Sequence, residues 1–153
     1  MQLGHEKTLT ALVPALAGAS LLYGSGMTES GVTFDPAQFV LDNEFARMIK
    51  FTVRGVEVSD ATLLVDDIHA VGPFGDYLSL ASTLAGMRGP STSLILDRRV
   101  REDWEADGGK DAYETAKAKA LEIIESHQPA PVDADALAQV RSIVDAADAK
   151  RGD

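Results

Sequence analysis

The alternation of hydrophobic and polar positions between residues 18 and 54 predicts a strand, a loop and a helix, around which the chain is organised. Ser20-Leu21-Leu22-Tyr23 is a short apolar run between glycines, which favours a buried strand. A loop from Met27 to Phe34 follows. Asp35-Pro36 then predicts a helix start, because aspartate caps the first amides and proline fits the first helical position. This succession is the unit from which α/β barrels are built.

The helix that begins at Asp35 is predicted to be amphipathic. Gln38 is placed to reach back to the cap amide as in a capping box. From Leu41 onward the apolar residues recur at helical spacing, and polar residues fall on the opposite side. The apolar positions are Leu41, Phe45, Met48, Ile49 and Val53.

The rest of the chain is predicted to be mostly helical. Helical periodicity with glycine, proline or capping residues at the boundaries predicts helices over 6–17, 59–71, 79–88, 98–106, 111–126 and from 133 onward. Residues 93–96 form a possible second short strand or extended packing. One or two strands fall far short of the eight of a complete barrel. The fold class is therefore mostly α with one or two short strands.

Composition narrows the range of partners. The net charge of −10 and pI near 4.6 argue against phosphate backbones and anionic lipid as partners, since both would be repelled. The chain has no cysteine, which excludes disulfides and thiolate zinc sites and is typical of a reducing cytoplasm. The three histidines show no metal-ligand spacing, and the apolar part of the N-terminus is too short to cross a bilayer. We expect a cytoplasmic protein without a signal peptide, transmembrane segment or metal.

A series of short motifs, in order along nearly the whole chain, resembles the trimethylamine methyltransferase family. The motifs are His5-Glu6-Lys7-Thr8, Pro14-Ala15-Leu16-Ala17-Gly18-Ala19, Tyr23-Gly24, Gly26-Met27, Glu29-Ser30-Gly31, Thr33-Phe34-Asp35, Asp42-Asn43-Glu44, Val71-Gly72, Thr83-Leu84, Asp97-Arg98-Arg99, Arg101-Glu102-Asp103-Trp104-Glu105 and Gly108-Gly109-Lys110-Asp111.

The resemblance implies corrinoid-dependent methyl transfer from a tertiary or quaternary amine, such as trimethylamine or glycine betaine, to the cobalt of a separate corrinoid protein. It also implies that the chain is the C-terminal portion of a (β/α)8 TIM barrel plus trailing helices. Residues 1–97 are then the terminal βα unit or units, and residues 98–153 a helical extension, in a single globular unit. The substrate pocket and the corrinoid docking surface of such a portion are incomplete.

Candidate site residues lie in the loop after the predicted strand, where barrel active sites are built. A quaternary ammonium offers neither a proton nor a lone pair, so aromatic faces and carboxylates are needed to hold it. Tyr23, Glu29, Phe34 and Asp35 are the candidates for substrate binding. The alternatives are that Asp35 is a helix cap, Phe34 belongs to the core and Glu29 is solvated.

His5 and Glu6 are candidates for contact with the corrinoid, because imidazole titrates near neutral pH. The alternative is that His5 is a surface residue at a helix terminus. No catalytic residue is assigned.

Three functional readings follow from the sequence. In the first, the chain is part of a methyltransferase and inactive alone. In the second it is a module whose exposed apolar side drives homo-oligomerisation or docking onto the rest of a barrel. In the third it is a relic without function.

Overall fold

The structure, a computed structural model, is mostly helical and describes residues 2–87, 89–90 and 92–151. A two-stranded antiparallel sheet pairs Met27 with Phe34 and Thr28 with Thr33. No helix among these residues is both long enough and apolar enough to cross a membrane. The elements are α1 (Gln2–Leu16), β1 (Met27–Thr28), a 3₁₀ turn (Glu29–Gly31), β2 (Thr33–Phe34), α2 (Pro36–Val53), α3 (Asp60–Leu63), α4 (Val65–Val71), α5 (Ala81–Gly86), α6 (Arg101–Ala106), α7 (Ala112–Ser126) and α8 (Ala134–Arg151).

The chain divides into two compact units, residues 1–122 and residues 123–153. The first contains the sheet, helices α1 to α6 and most of α7. The second contains the end of α7 and all of α8, whose start is capped by Asp133, since its Oδ1 accepts from the amides of Asp135 and Ala136. The domain boundary at residue 97 stays a prediction.

The predicted strand at Ser20–Tyr23 is wrong for this structure, and the strands lie instead in the predicted loop. Residues 20–23 are irregular, with Leu21 and Tyr23 exposed. A strand needs a neighbour to pair with its backbone, and the described residues offer none beside this run. The weaker strand at 93–96 is also absent from the described chain, where residues 94–96 form bends.

Helix α2 begins as the sequence predicts, but one detail of its cap is different. Asp35 is the N-cap, its Oδ1 accepts from the Ala37 amide at 2.8 Å, and Pro36 takes the first helical position. The Asp35 amide donates to the Gly26 carbonyl at 2.9 Å, so it is not available to Gln38. The predicted capping box is therefore replaced by a bond from Gln38 Nε2 to Asp42 Oδ1 at 2.7 Å.

Helix boundaries elsewhere shift by a few residues. The helix predicted over 59–71 is two helices, α3 and α4, because Leu64 between them is left-handed at φ 52°. Leu80, and not Ser79, precedes α5, while the predicted end at Arg88 lies outside the described residues. Helix α6 starts at residue 101 and not at 98. Residues 97–100 are not helical, and the Asp97 carboxylate accepts a hydrogen bond from the Arg99 amide.

The core is small and centres on the N-terminal half of α2. Ala37, Leu41 and Ala116 form its buried cluster, with Val40, Phe45, Ile95 and Ala112 packed around it. Ile49 and Ala120 complete the buried apolar side chains of the described residues. Helix α1 packs along α2, and Gly4 lies against the Phe45 ring, where an added Cβ would sit 3.8 Å from Cζ. Helix α2 is therefore the central element of the first unit, to which its loops are attached.

Candidate functional site

The hairpin before α2 presents two of the predicted substrate residues. Glu29 and Ser30 have left-handed backbones, at φ 50° and 55°, and Gly31 follows at 86°. Consecutive non-glycine residues in this region are strained, and such strain concentrates at functional sites. The Glu29 carboxylate accepts from Thr33 Oγ1 through Oε2 at 2.7 Å, which holds this side chain back toward β2.

The predicted aromatic residues flank this hairpin. The Phe34 side chain is 61% exposed and tilts against the Phe39 ring with 5.8 Å between centroids, so it lies at the edge and not in the core. Tyr23 is 85% exposed and lies four residues before β1. Glu29 and Phe34 thus share the hairpin, whereas no hydrogen bond or ring contact within the described chain joins Tyr23 to either.

Asp35, the fourth candidate, is engaged in structural contacts. Besides capping α2, its Oδ2 accepts a hydrogen bond from the Tyr113 hydroxyl of α7 at 2.8 Å. This bond from Tyr113 is the main cause that lowers the pKa of Asp35 below 3.8, and the same bond raises the pKa of Tyr113 above 10.0. The cap alternative is confirmed, with a second role of tying α7 to α2.

His5 and Glu6 both lie exposed near the N-terminus of α1. Glu6 Oε1 accepts from Gln2 Nε2 at 2.8 Å, one turn away, and adjacent residues on a helix do not face each other. The structure does not join them into one site. Their contact with a corrinoid stays a prediction.

Sequence reasoning missed the buried carboxylate of Asp42, which is 7% exposed. Its Oδ2 accepts from the Lys7 ammonium of α1 and from the Gly26 amide at 2.7 Å, while Oδ1 accepts from Gln38. Lys7 Nζ also reaches the Gly24 carbonyl at 3.4 Å. One charged group therefore fastens α1 and the glycine turn before the hairpin to α2. The sequence did contain a sign that Asp42 is buried. The spacing of Gln38, Leu41 and Asp42 puts all three on one face of α2, and that face is the buried one.

Glu44 is the second buried acid that the periodicity did not reveal, at 2% exposed. Its Oε1 accepts from the Leu94 amide at 3.2 Å, fifty residues later in the chain, and Oε2 lies 3.6 Å from Arg47 Nη1. Glu44 thereby holds the irregular segment around Leu94 to α2. Both acids belong to the Asp42-Asn43-Glu44 motif.

A cleft between residues 94–97 and the start of α7 is lined by apolar and charged side chains, and Arg99, Asp97, Asp107 and Arg101 among the charged ones are already paired. Arg99 binds Asp97 at 2.7 Å and Asp107 at 2.5 Å, and these hydrogen bonds raise the pKa of Arg99 and lower that of Asp97. None of the predicted site residues lines it. Nowhere in the described parts of the chain do three or more histidine, aspartate or glutamate side chains converge to hold a metal ion.

The chain is similar to known methyltransferases over nearly its whole length. The family model described as trimethylamine methyltransferase (MTTB) matches residues 1–152. A trimethylamine methyltransferase, MttB2, from Methanosarcina mazei is 46% identical over 147 residues, which cover 96% of this chain and 30% of that protein. MttB from Desulfitobacterium hafniense is 49% identical over 144 residues, covering 94% and 29%. A glycine betaine methyltransferase from Desulfitobacterium hafniense is 25% identical over 148 residues, covering 94% and 30%.

The family match extends over all the elements described above, from α1 to α8. It includes Lys7, Asp42 and Glu44, the residues whose buried contacts hold the first unit together. The chain spans about 30% of the length of the curated relatives it matches. It belongs to the trimethylamine methyltransferase family.

Proposed function

We propose that this chain contributes the C-terminal part of a (β/α)8 barrel methyltransferase that moves a methyl group from a methylated amine to a corrinoid protein. The single observation that carries the proposal is the family match over residues 1–152. The relatives' names, which include trimethylamine and glycine betaine methyltransferases, support tertiary and quaternary amines as the substrate class. The 30% coverage supports a portion that needs the rest of the enzyme for activity.

In this proposal the hairpin residues Glu29 and Phe34, with Tyr23 from the segment before the hairpin, bind and orient the amine. The exposed rings of Tyr23 and Phe34 offer π-faces to an N-methylated cation, and the Glu29 carboxylate offers the opposite charge. The Thr33 hydrogen bond to Glu29 limits the orientations that the carboxylate can adopt. His5 and Glu6, exposed on α1, are the proposed neighbours of the corrinoid partner.

The charge on the amine nitrogen determines whether the leaving group needs a proton. The corrinoid carried by the partner protein supplies the methyl acceptor. When the N–CH3 bond of a quaternary amine breaks, its electron pair stays on nitrogen and the product leaves as a neutral amine, so no acid is required. A tertiary amine must react in its protonated form, because it would otherwise leave as an amide anion. A negative carboxylate suits both cations.

The test is reconstitution. The purified chain is combined with the part of the Desulfitobacterium hafniense MttB sequence that lies outside the 144 matched residues. A reduced corrinoid protein and trimethylamine or glycine betaine are added, and methylation is followed by corrinoid absorbance. We expect transfer with both parts and none with either alone. Transfer by this chain alone would show that it is not an incomplete portion, and a complex that transfers from neither amine would refute the activity.

A matched pair of variants tests the site within the reconstituted enzyme. Glu29→Gln is expected to raise KM for the amine at least about fivefold, the equivalent of an exposed charge pair of about 1 kcal/mol. Glu102→Gln, which removes an exposed charge on α6, is expected to leave KM unchanged. An unchanged KM in both Glu29→Gln and Tyr23→Ala removes these residues from the substrate site.

The second candidate function, an interaction module without catalysis, is favoured by the exposed apolar surface. Large apolar side chains with more than half their surface exposed occur in both units, among them Leu21, Val56, Leu78 and Ile143. Surface of this kind marks interaction sites. Light scattering of the isolated chain tests self-association. A monomer that also fails to bind the remainder of the relative would exclude this function.

A further inference from the structure

Helix α8 is amphipathic, and its apolar side is not covered within the second unit. Its apolar residues recur at intervals of three and four, which places Leu137, Val140, Val144 and Ala147 on one side. No described residue of the second unit, 123–151, is buried, and Val140 is 55% exposed. Most of the stability of a helix in a protein comes from packing of such a side. The apolar side of α8 therefore calls for a partner.

Charges of opposite sign stand at the two ends of this apolar side. Asp133 lies one turn before its first residue, and Arg151 lies one turn after its last. The cap hydrogen bonds of Asp133 use Oδ1 alone, so Oδ2 can meet a cation. Two antiparallel α8 helices that align Val140 of one with Val144 of the other also align Asp133 with Arg151, at both ends of the pair. Two parallel helices would place each of these charges against its own kind.

This order of charges is complementary to its own reverse, which identifies the partner as a second copy of the chain. The net charge of −10 lies outside α8, in which acidic and basic side chains balance. They are Asp135, Asp145 and Asp148 against Arg141, Lys150 and Arg151. Exposed charges farther apart than about 8 Å are largely screened at physiological salt, so the rest of the chain opposes the contact only weakly. Arg141, the charge nearest the middle of the apolar side, has Asp145 one turn away on its own helix.

We propose that α8 pairs in antiparallel orientation with α8 of a second copy of this chain, through the side that carries Leu137, Val140, Val144 and Ala147. The contact is short, because a helix of 18 residues is about 27 Å long. The dimer therefore belongs to the small, weak class of protein interfaces and its population depends on concentration. The pairing is independent of methyl transfer, and it names the surface of the second unit at which two copies meet.

Sedimentation equilibrium of the whole chain across the micromolar range tests the pairing. Val140→Asp is expected to weaken dimerisation at least about tenfold, because each dimer would then bury two carboxylates among apolar side chains. Ala138→Asp adds the same charge on the opposite side of α8 and is expected to leave dimerisation unchanged. Aspartate lowers helix propensity more in place of alanine than in place of valine, so a loss confined to Val140→Asp does not come from unwinding. A wild type that is monomeric throughout, or equal weakening in both variants, overturns the proposal.

Disulfide formation tests the orientation, because the natural chain has no cysteine. Leu137→Cys and Ala147→Cys each supply one thiol, and the antiparallel pair aligns these two positions. In an equal mixture of the two variants under mild oxidation, the mixed disulfide is expected to exceed its statistical share, since only aligned positions come within disulfide reach. A mixed disulfide at or below that share overturns the antiparallel pairing. Both experiments omit amine and corrinoid, so a dimer without methyl transfer refutes the activity and leaves the pairing standing.

Discussion

Replacing Asp42 is expected to remove more stability from the first unit than replacing any exposed acid. Its carboxylate is 7% exposed and accepts from three donors on Lys7, Gly26 and Gln38. Asp42→Ala leaves the Gly26 amide and the Gln38 side chain unsatisfied, at about 1–3 kcal/mol each. Lys7, with 19% of its side chain exposed, recovers part of its hydration by turning outward. The expected loss is about 3–5 kcal/mol, as for other broken buried pairs.

Urea unfolding followed by the fluorescence of Trp104 measures this loss, because the single tryptophan of the chain lies in the first unit. Asp42→Asn keeps an oxygen acceptor but loses the charge, so its cost is expected to be smaller, about 2 kcal/mol. Asp66→Ala, an exposed acid in the same unit, is expected to cost less than about 0.5 kcal/mol.

A double-mutant cycle between Lys7→Met and Asp42→Asn isolates the ion pair, with an expected coupling of at least about 1 kcal/mol. If the coupling were near zero and Asp42→Ala lost no more than Asp66→Ala, the carboxylate would be solvated. The Asp42 carboxylate would then not be what holds the hairpin to α2.

Three further predictions concern contacts around α2. Tyr113→Phe is expected to raise the pKa of Asp35 toward its ordinary value in an NMR titration. Because that pKa is lowered in the folded state, the wild type is expected to be more stable than Tyr113→Phe by its full margin above about pH 4. This margin is expected to shrink as pH falls through the folded pKa, and a margin that grows on acidification would contradict the prediction. Gly26→Ala is expected to cost about 2 kcal/mol in urea unfolding, since φ is +76° and a Cβ would lie 2.5 Å from Phe34 Cε2 and 3.0 Å from Phe39 Cβ. Gly18→Ala is the control, because Gly18 also has a positive φ, +90°, but has open space around it; its expected cost in stability is about 1 kcal/mol. Equal losses of stability in the two variants would show that the contact with the Phe34 ring is unimportant. Glu44→Ala is expected to cost about 2 kcal/mol and to speed hydrogen exchange at the Leu94 amide, and an unchanged exchange rate would show that the carboxylate does not protect this amide.

Local signals in the sequence predicted the helices well. The Asp35-Pro36 start of α2 and the glycine ends of α1 and α6 depend on residues adjacent to the boundary, so sequence alone specifies them. The strand at 20–23 failed because strand formation depends on a partner that a single sequence does not show. The hairpin was missed because its turn uses Glu29 and Ser30 at positive φ, without the Asn-Gly signal of common hairpins.

The sequence placed Glu29 and Phe34 in one loop but did not show what holds that loop in place, and their role in substrate binding stays a prediction. Glu29 and Phe34 do lie together on one hairpin, as their spacing around the loop suggested. What fixes that hairpin is Asp42, which the amphipathic pattern did not mark as buried because aspartate is ordinarily exposed. Charged residues on the apolar face of a helix, at i+4 from another polar residue, are the pattern that would have revealed it.

The buried contacts of the first unit are polar as well as apolar. In the described chain, five apolar side chains are buried, three of them alanines. The Asp35 carboxylate ties α7 to α2, and the carboxylates of Asp42 and Glu44 hold the loops to α2. A hydrogen bond makes a net contribution of about 1 kcal/mol to the free energy of unfolding, whereas full burial of a leucine side chain contributes about 1.5–3 kcal/mol. Covering the surface that Leu21 and Leu22 still expose, 78% and 36% of each residue, would therefore add about 2–3 kcal/mol, comparable to the three polar contacts together. The polar contacts define where the loops lie, and they leave much of the apolar surface of the described chain exposed.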